Sequence, residues 1–277
     1  MRELRGAVAV LTGAASGIGR ALAIDLAGHG AHLALADVNS AGLEETRTLL
    51  GDAVVRTYVV DVARADAVED FARQVQKDFG RASLLVNNAG VALLGTFDQV
   101  SLEEMEWLIR INLWGVIYGC KFFLPLLQRE PDAHIVNVSS IFGLIGPPGQ
   151  TAYSTSKYAV RGFSEALREE FRMAGASIKV TTVHPAGIAT PIADQARAGC
   201  GTTAEEQRLA KEYFKKVALI TPKEAAHTII KGVLAGKKRV LIGADAYRVD
   251  ILQRIFPSQA SAMFADQLMK RRGTEQP

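Results

Sequence analysis

Short apolar runs alternate with amphipathic stretches along almost the whole chain. Ala7–Leu11, His32–Ala36, Val54–Val60, Ser83–Val86, Ala133–Val138, Ile178–Val183 and Arg239–Ile242 have the length and apolar character of buried strands. Helical periodicity fills the gaps between them. It runs through Leu22, Ile24 and Leu26 to an end near Gly28 and Gly30, then through Leu43–Leu50 and Val68–Phe79. It returns over Leu102–Leu127 with Pro125 near the end, from a Thr151 N-cap to about Met173 before Gly175, and over Pro222–Leu234. Residues 191–217 turn polar, with Gly199 and Gly201 flanking Cys200, and read as a substrate flap with helical parts. Ala246–Phe256 is amphipathic and stopped by Pro257, and the last dozen residues read as a frayed end. Alternating strands and helices predict an α/β fold: one doubly wound, mostly parallel sheet of about seven strands with helices on both faces. No repeat, linker or break in composition divides the chain, so residues 1–277 read as one domain with a core over about 6–243 and an extension over 244–277.

Composition narrows the class. The 277 residues are 48% hydrophobic and 22% charged, ordinary globular values for a chain able to bury a large core. The net charge of +3 is dispersed, and the clusters Lys237–Arg239 and Lys270–Arg272 are short solvated ends, so no nucleic-acid surface is expected. Cys120 and Cys200 have no metal-ligand spacing and read as reduced thiols; no metal is expected. Met1–Arg5 followed by Ala7–Leu11 faintly imitates a signal peptide, but the apolar run is about five residues and leads into a glycine motif. No stretch approaches the ~20 residues needed to cross a bilayer. A soluble, cytoplasmic protein without a membrane partner is expected.

Candidate chemistry lies at the ends of the strands. The first is followed by Thr12-Gly13-Ala-Ala-Ser16-Gly17-Ile18-Gly19 and then a helix, the setting a dinucleotide site needs. Glycines permit a tight turn, and bare backbone lets a pyrophosphate reach the helix N-terminus. Asp37 ends the second strand, where it either accepts hydrogen bonds from adenosine ribose hydroxyls or caps the next helix. The first role would repel a 2′-phosphate, and residues 38–40 contain no Lys or Arg, which points to NAD over NADP. Asn87-Asn88-Ala89-Gly90 suits either close passage of backbone past a ligand or an ordinary turn. Asn112 lies among apolar neighbours, where it is a satisfied core amide unless those neighbours are catalytic. His184-Pro185-Ala186-Gly187-Ile188-Ala189-Thr190-Pro191 forms an irregular loop after the sixth strand, with His184 read as structural.

The most informative stretch is Ser140–Lys157. A hydroxyl ends the fifth strand, and after a Gly/Pro-rich break Tyr153 and Lys157 fall one helical turn apart on a shared face. A free phenol has a pKa of about 10. An ammonium ~4 Å away at an effective dielectric near ~20 favours phenolate by about 4 kcal/mol, a lowering of up to about three pH units before desolvation. Tyr153 then becomes a credible general acid–base.

In this order, Thr12–Gly19, Asp37, Asp61-Val62, Asn87–Gly90, Asn112, Ser140, Tyr153-x-x-x-Lys157 and Pro185–Thr190 closely resemble the short-chain dehydrogenase/reductase family. The match runs from about residue 6 to 243 and implies a Rossmann-type fold. The resemblance implies that Tyr153 is the acid–base and that Lys157 lowers its pKa and holds the nicotinamide ribose. It also implies that Ser140, thirteen residues before Tyr153, orients the substrate oxygen, and that Asn112 holds a water joining Lys157 to solvent. It assigns the cofactor to Gly13, Ser16, Gly17, Ile18, Gly19, Asp37, Asp61, Val62, Asn88, Ala89, Gly90, Pro185, Ile188 and Thr190, besides Tyr153 and Lys157. Asp61 and Val62 would touch adenine, and Ile188 and Thr190 the carboxamide. Ala186 departs from the usual glycine, where a methyl could exclude a positive φ.

The expectation is an NAD-dependent oxidoreductase interconverting a secondary alcohol and a ketone. The alternatives are an NADP-dependent carbonyl reductase and a dinucleotide sensor without turnover. The resemblance implies a homodimer or homotetramer built on the helices near 102–127 and 152–173. Leu93, Leu94, Phe142, Leu144 and Ile145 fit an apolar substrate pocket or plain core. The extension past 243 would wall that pocket, pair with another subunit or touch a membrane, in that order.

Overall fold

The computed structural model describes Met1 and residues 3–273. Its first half comprises β1 (Val8–Thr12), α1 (Gly17–Gly28), β2 (His32–Asp37), α2 (Ser40–Leu49), β3 (Val55–Val59), α3 (Ala65–Phe79), β4 (Leu84–Asn87), β5 (Leu93–Leu94), α4 (Leu102–Ile109), a π turn (Arg110–Trp114) and α5 (Gly115–Leu127). There follow β6 (His134–Val138), a 3-10 turn (Ile141–Gly143), α6 (Thr151–Met173), β7 (Lys179–Pro185), β8 (Arg197–Ala198), α7 (Ala204–Val217), α8 (Pro222–Leu234), β9 (Arg239–Ile242), α9 (Ala244–Ile255) and α10 (Ala260–Gly273). Seven strands form one parallel sheet in the order β3-β2-β1-β4-β6-β7-β9. The order reverses between β1 and β4, and a doubly wound sheet binds ligands in the crevice outside such a switch point.

Period-two alternation explains both layers. Ala9 and Leu11 of β1 and Leu33 and Leu35 of β2 face α1, α2 and α8 through Leu22, Leu26, Leu43, Ile229 and Val233. Val10, Ala34, Leu85 and Ile135 face the other way, onto Phe71 of α3, Phe123 of α5 and Val160 and Phe171 of α6. With both faces covered, β1, β4 and β6 are buried throughout.

Several expectations shift. The long helix predicted over 102–127 is α4 and α5 joined by the π turn around Asn112; one extra residue in a turn leaves the apolar period nearly unchanged. Thr151 is the first helical residue rather than the N-cap, and Gln150 before it makes no side-chain cap bond. Asn39, not Asp37, caps α2, accepting from the Gly42 amide at 3.0 Å. His184 lies within β7. Helix α10 replaces a frayed end through Gly273, and the rest of that expectation lies outside the described residues. Ala186 does not adopt a positive φ, so its methyl excludes nothing the loop needs. No helix among the described residues is long and apolar enough to cross a membrane.

Two buried imidazoles make the fold acid-sensitive. Burial pushes His134 down to about 3 and His184 down to about 4. Both stay neutral in the folded chain, whereas the unfolded chain takes up protons near about pH 6.5. Their contribution to stability is thus complete above about pH 6.5 and is lost as pH falls towards 4, by up to ~1.4 kcal/mol per pH unit for each ring. Urea midpoints across this range should fall with pH, and less steeply in His134→Gln; equal slopes would remove His134 from the account.

Candidate active site

The turn after β1 is shaped to admit an anion. Gly17 opens α1 at φ +52°, a left-handed conformation that favours glycine. A Cβ at Gly19 would lie 1.9 Å from the Gly13 carbonyl oxygen, so only hydrogen fits. Ser16, in extended backbone, makes no side-chain cap bond, which leaves the first-turn amides of a twelve-residue helix without a side-chain acceptor. The switch-point loop holds this turn in place. Asn88 donates through Nδ2 to the carbonyls of Thr12 (3.0 Å) and Gly13 (3.1 Å), and the Asn88 and Ala89 amides both donate to Thr12 Oγ1 at 3.1 Å. The contacts of Thr12, within the glycine motif, join strands that lie far apart in the sequence.

Asp37 is fixed rather than free to cap a helix. Its carboxylate accepts from the Ala15 amide and the Asn39 amide, both at 3.0 Å, and stays partly exposed beside the glycine loop. The loop after β7 reaches the same place, since a Cβ on Gly17 would meet Thr190 at 3.1 Å. Pro185 ends β7, and Ile188 is buried with its carbonyl accepting from the Thr190 amide. Beyond β3, Asp61 accepts from the Ala63 amide at 2.9 Å, while buried Val62 packs against Gly115 of α5. Ile18 is partly buried on α1.

The second half of the site gathers around α6. Ser140 follows β6; its hydroxyl accepts from the Phe142 amide at 3.1 Å and lies near enough to Tyr153 to favour the phenolate. Ser139 instead donates to the Lys157 carbonyl at 2.8 Å, so Ser140 is the serine that meets the phenol. Lys157 is buried; its Nζ donates to the Val138 carbonyl at 3.1 Å and lies 5.6 Å from the Tyr153 ring centroid. Asn112 donates to the Val91 carbonyl (3.0 Å) and Ser156 Oγ (3.2 Å) and accepts from the Val91 amide (2.8 Å). A Cβ on Gly90 would contact both Asn112 Oδ1 (3.2 Å) and Lys157 Nζ (3.4 Å), so these three groups converge. His184 Nδ1 lies 3.0 Å from the Ser140 carbonyl and steadies the serine from beneath.

The electrostatics differ from the sequence expectation. Tyr153 is pushed up to about 12, because burial outweighs the opposing bond from Ser140. Lys157 is pushed down to about 8 by burial. The expected lowering of the phenol is therefore absent here: the ammonium is held by a backbone carbonyl over the ring, and desolvation dominates. Near pH 7 both groups carry their protons, and the pair is poised as an acid.

Similarity to known proteins agrees with this geometry. The family model described as short chain dehydrogenase matches residues 7–201. The chain belongs to that family. It is an oxidoreductase of the short-chain type, and SadH of Mycobacterium tuberculosis is 45% identical to it over 269 residues, 96% of each chain. Among solved structures, a short-chain dehydrogenase/reductase from Burkholderia phymatum in complex with NAD superposes with a TM-score of 0.85. That protein is 31% identical, with 92% of this chain and 95% of the other covered. An alcohol dehydrogenase from the archaeon Thermococcus sibiricus complexed with 5-hydroxy-NADP gives a TM-score of 0.73 at 26% identity, covering 86% of this chain and 96% of the other. A nicotinamide dinucleotide fits the uncapped α1 terminus, the close approach at Gly19 and the fixed Asp37 carboxylate.

Proposed function

We propose that this protein is an NAD-dependent oxidoreductase that interconverts a secondary alcohol and a ketone, with Tyr153 as general acid–base. The observation that carries the reading is the convergence of the Ser140 hydroxyl, the Tyr153 phenol and buried Lys157, whose Nζ lies 5.6 Å from the Tyr153 ring centroid. When bound, the nicotinamide would supply hydride exchange with the carbinol carbon. Ser140 would hold the substrate oxygen, and Tyr153 would give that oxygen its proton in reduction; in oxidation the phenolate left by loss of that proton would take it back. Lys157, with its Nζ 5.6 Å from the centroid of the Tyr153 ring, would hold the ribose. Asn112 would order the polar path beyond Lys157. Asn88–Gly90, Pro185, Ile188 and Thr190 would line the nicotinamide half, and Gly13, Ser16, Gly17 and Ile18 the pyrophosphate. Asp61 and Val62 would flank adenine.

The pKa directions have a consequence for rate. The phenol keeps its proton across the neutral range, whereas Lys157 loses its own as pH rises through about 8. For ketone reduction, kcat/KM should therefore fall as pH rises through that value. A pH–rate profile that stays flat there would leave the ammonium without a role.

Preference for NAD rests on Asp37. A carboxylate held by two amides would accept ribose hydroxyls and repel a 2′-phosphate, and Arg20, the nearest guanidinium on α1, is committed to Glu45 and the Ala15 carbonyl. Titration should show NADH binding more tightly than NADPH. Asp37→Ser should shift that ratio towards NADPH by about tenfold or more, the scale of one charge contact (about 1.4 kcal/mol). Tighter NADPH binding by the parent protein would favour a carbonyl reductase of the NADP type. Assembly is supported by the exposed Trp114 and Tyr158 on α5's entry and α6. Sedimentation should show a dimer or tetramer.

A further inference from the structure

The C-terminal extension reaches the active site through a row of aromatic rings. Phe142, two residues after Ser140, meets Tyr153 edge-to-face, with centroids 6.2 Å apart and planes at 90°. On its far side Phe142 meets Phe264 of α10, again at 6.2 Å and nearly perpendicular. The Gly146 amide donates to Ser261 Oγ at 3.1 Å, a second tie between the same loop and the same helix. Beneath these contacts Ile141, Leu144 and Ile145 pack against Val249 and Ala260, with Ala186 and Leu252 at the margin. Tyr153 also packs against a second apolar cluster, built on Leu93, Leu108 and Ala152. The phenol thus sits among apolar groups, and the Phe142 ring beside it has Phe264 as its aromatic neighbour on α10.

We propose that Phe264 is a specificity-determining residue. By fixing Phe142 beside Tyr153, it closes an apolar wall that selects alcohols and ketones carrying an extended hydrocarbon substituent next to the reacting carbon. The proposal rests on the alcohol–ketone reading above and adds the substrate class. Phe264 acts through Phe142 and has no part in proton transfer, so its loss changes which substrates are held more than how fast a held one reacts.

The test compares the parent protein with Phe264→Ala and Phe264→Leu by NADH affinity, hydrogen exchange over residues 141–149, and kinetics on secondary alcohols of increasing chain length from isopropanol upward. NADH affinity should be unchanged, which shows that the fold is intact. Exchange over 141–149 should quicken in Phe264→Ala and be partly restored in Phe264→Leu. KM for the longest alcohols should rise about tenfold or more, the scale of one or two lost methylene contacts, while kcat and the isopropanol values move little. A uniform loss across the series, or unchanged exchange in Phe264→Ala, would overturn the proposal. If the parent binds NADH but oxidises none of the alcohols, the alcohol–ketone reading fails, and with it the substrate class named here. Exchange that then stayed unchanged would show in addition that Phe264 does not hold the wall.

Discussion

Tyr153→Phe is expected to lower turnover by about a thousandfold or more while leaving NADH affinity within about twofold, the range seen when a positioned general acid–base is removed. The substitution deletes one oxygen from a ring that meets Phe142 edge-to-face and packs on the Leu93–Leu108 cluster, and phenylalanine keeps that packing. What disappears is the proton carrier and the partner of the Ser140 hydroxyl. Because the phenol is pushed up to about 12, it holds its proton at neutral pH, and phenylalanine has no proton to give in its place. Retention of near-parental rates by Tyr153→Phe would end the assignment.

Gly19→Ala should nearly abolish dinucleotide binding, by about a hundredfold, and should weaken the fold by about 1–3 kcal/mol, the usual cost of forcing a methyl into filled space. The new Cβ would fall 1.9 Å from the Gly13 oxygen and 2.8 Å from Asn88 Nδ2. Neither can retreat: Gly13 is in the tight turn, and the Asn88 amide is bonded to the Thr12 and Gly13 carbonyls. Relief requires opening the turn that presents the α1 amides. Gly28→Ala is the control, because a Cβ there meets nothing within 4 Å at the other end of the same helix. It should bind NADH normally and melt no lower than the parent. Equal binding by both variants would remove the glycine turn from the cofactor site.

The sheet and the positions of most candidate residues are legible in the sequence because their signals are local. A four-residue spacing puts Tyr153 and Lys157 on one face whatever else the chain does, and apolar runs of strand length locate the ends where Asp37 and Ser140 stand. Ser139 and Ser140 are adjacent in sequence, yet Ser139 donates to the Lys157 carbonyl while Ser140 accepts from the Phe142 amide. Other features depend on distant partners. Spacing gives the separation of the Tyr–Lys pair but not its desolvation, which is why the phenol moves up rather than down. The π turn around Asn112 adds a residue that a period of 3.6 does not register. Thr12 and His184 act through contacts to Asn88 and Ser140 that only the sheet order creates. Phe264 meets Phe142 across more than a hundred residues of chain, and nothing near either residue marks the meeting. The Asp37 carboxylate shows the mixed case: its place was legible, while the two amides that keep it from capping α2 were not.

The most direct measurement is hydride exchange itself: NADH formation from NAD by the purified protein over a broad panel of secondary alcohols, beside Tyr153→Phe at matched cofactor saturation. The account predicts turnover by the parent on at least one apolar member and loss of that turnover, with binding kept, in the variant. Saturable NADH binding with no turnover anywhere on the panel or with the corresponding ketones would contradict it and leave a dinucleotide-binding protein that senses rather than reacts.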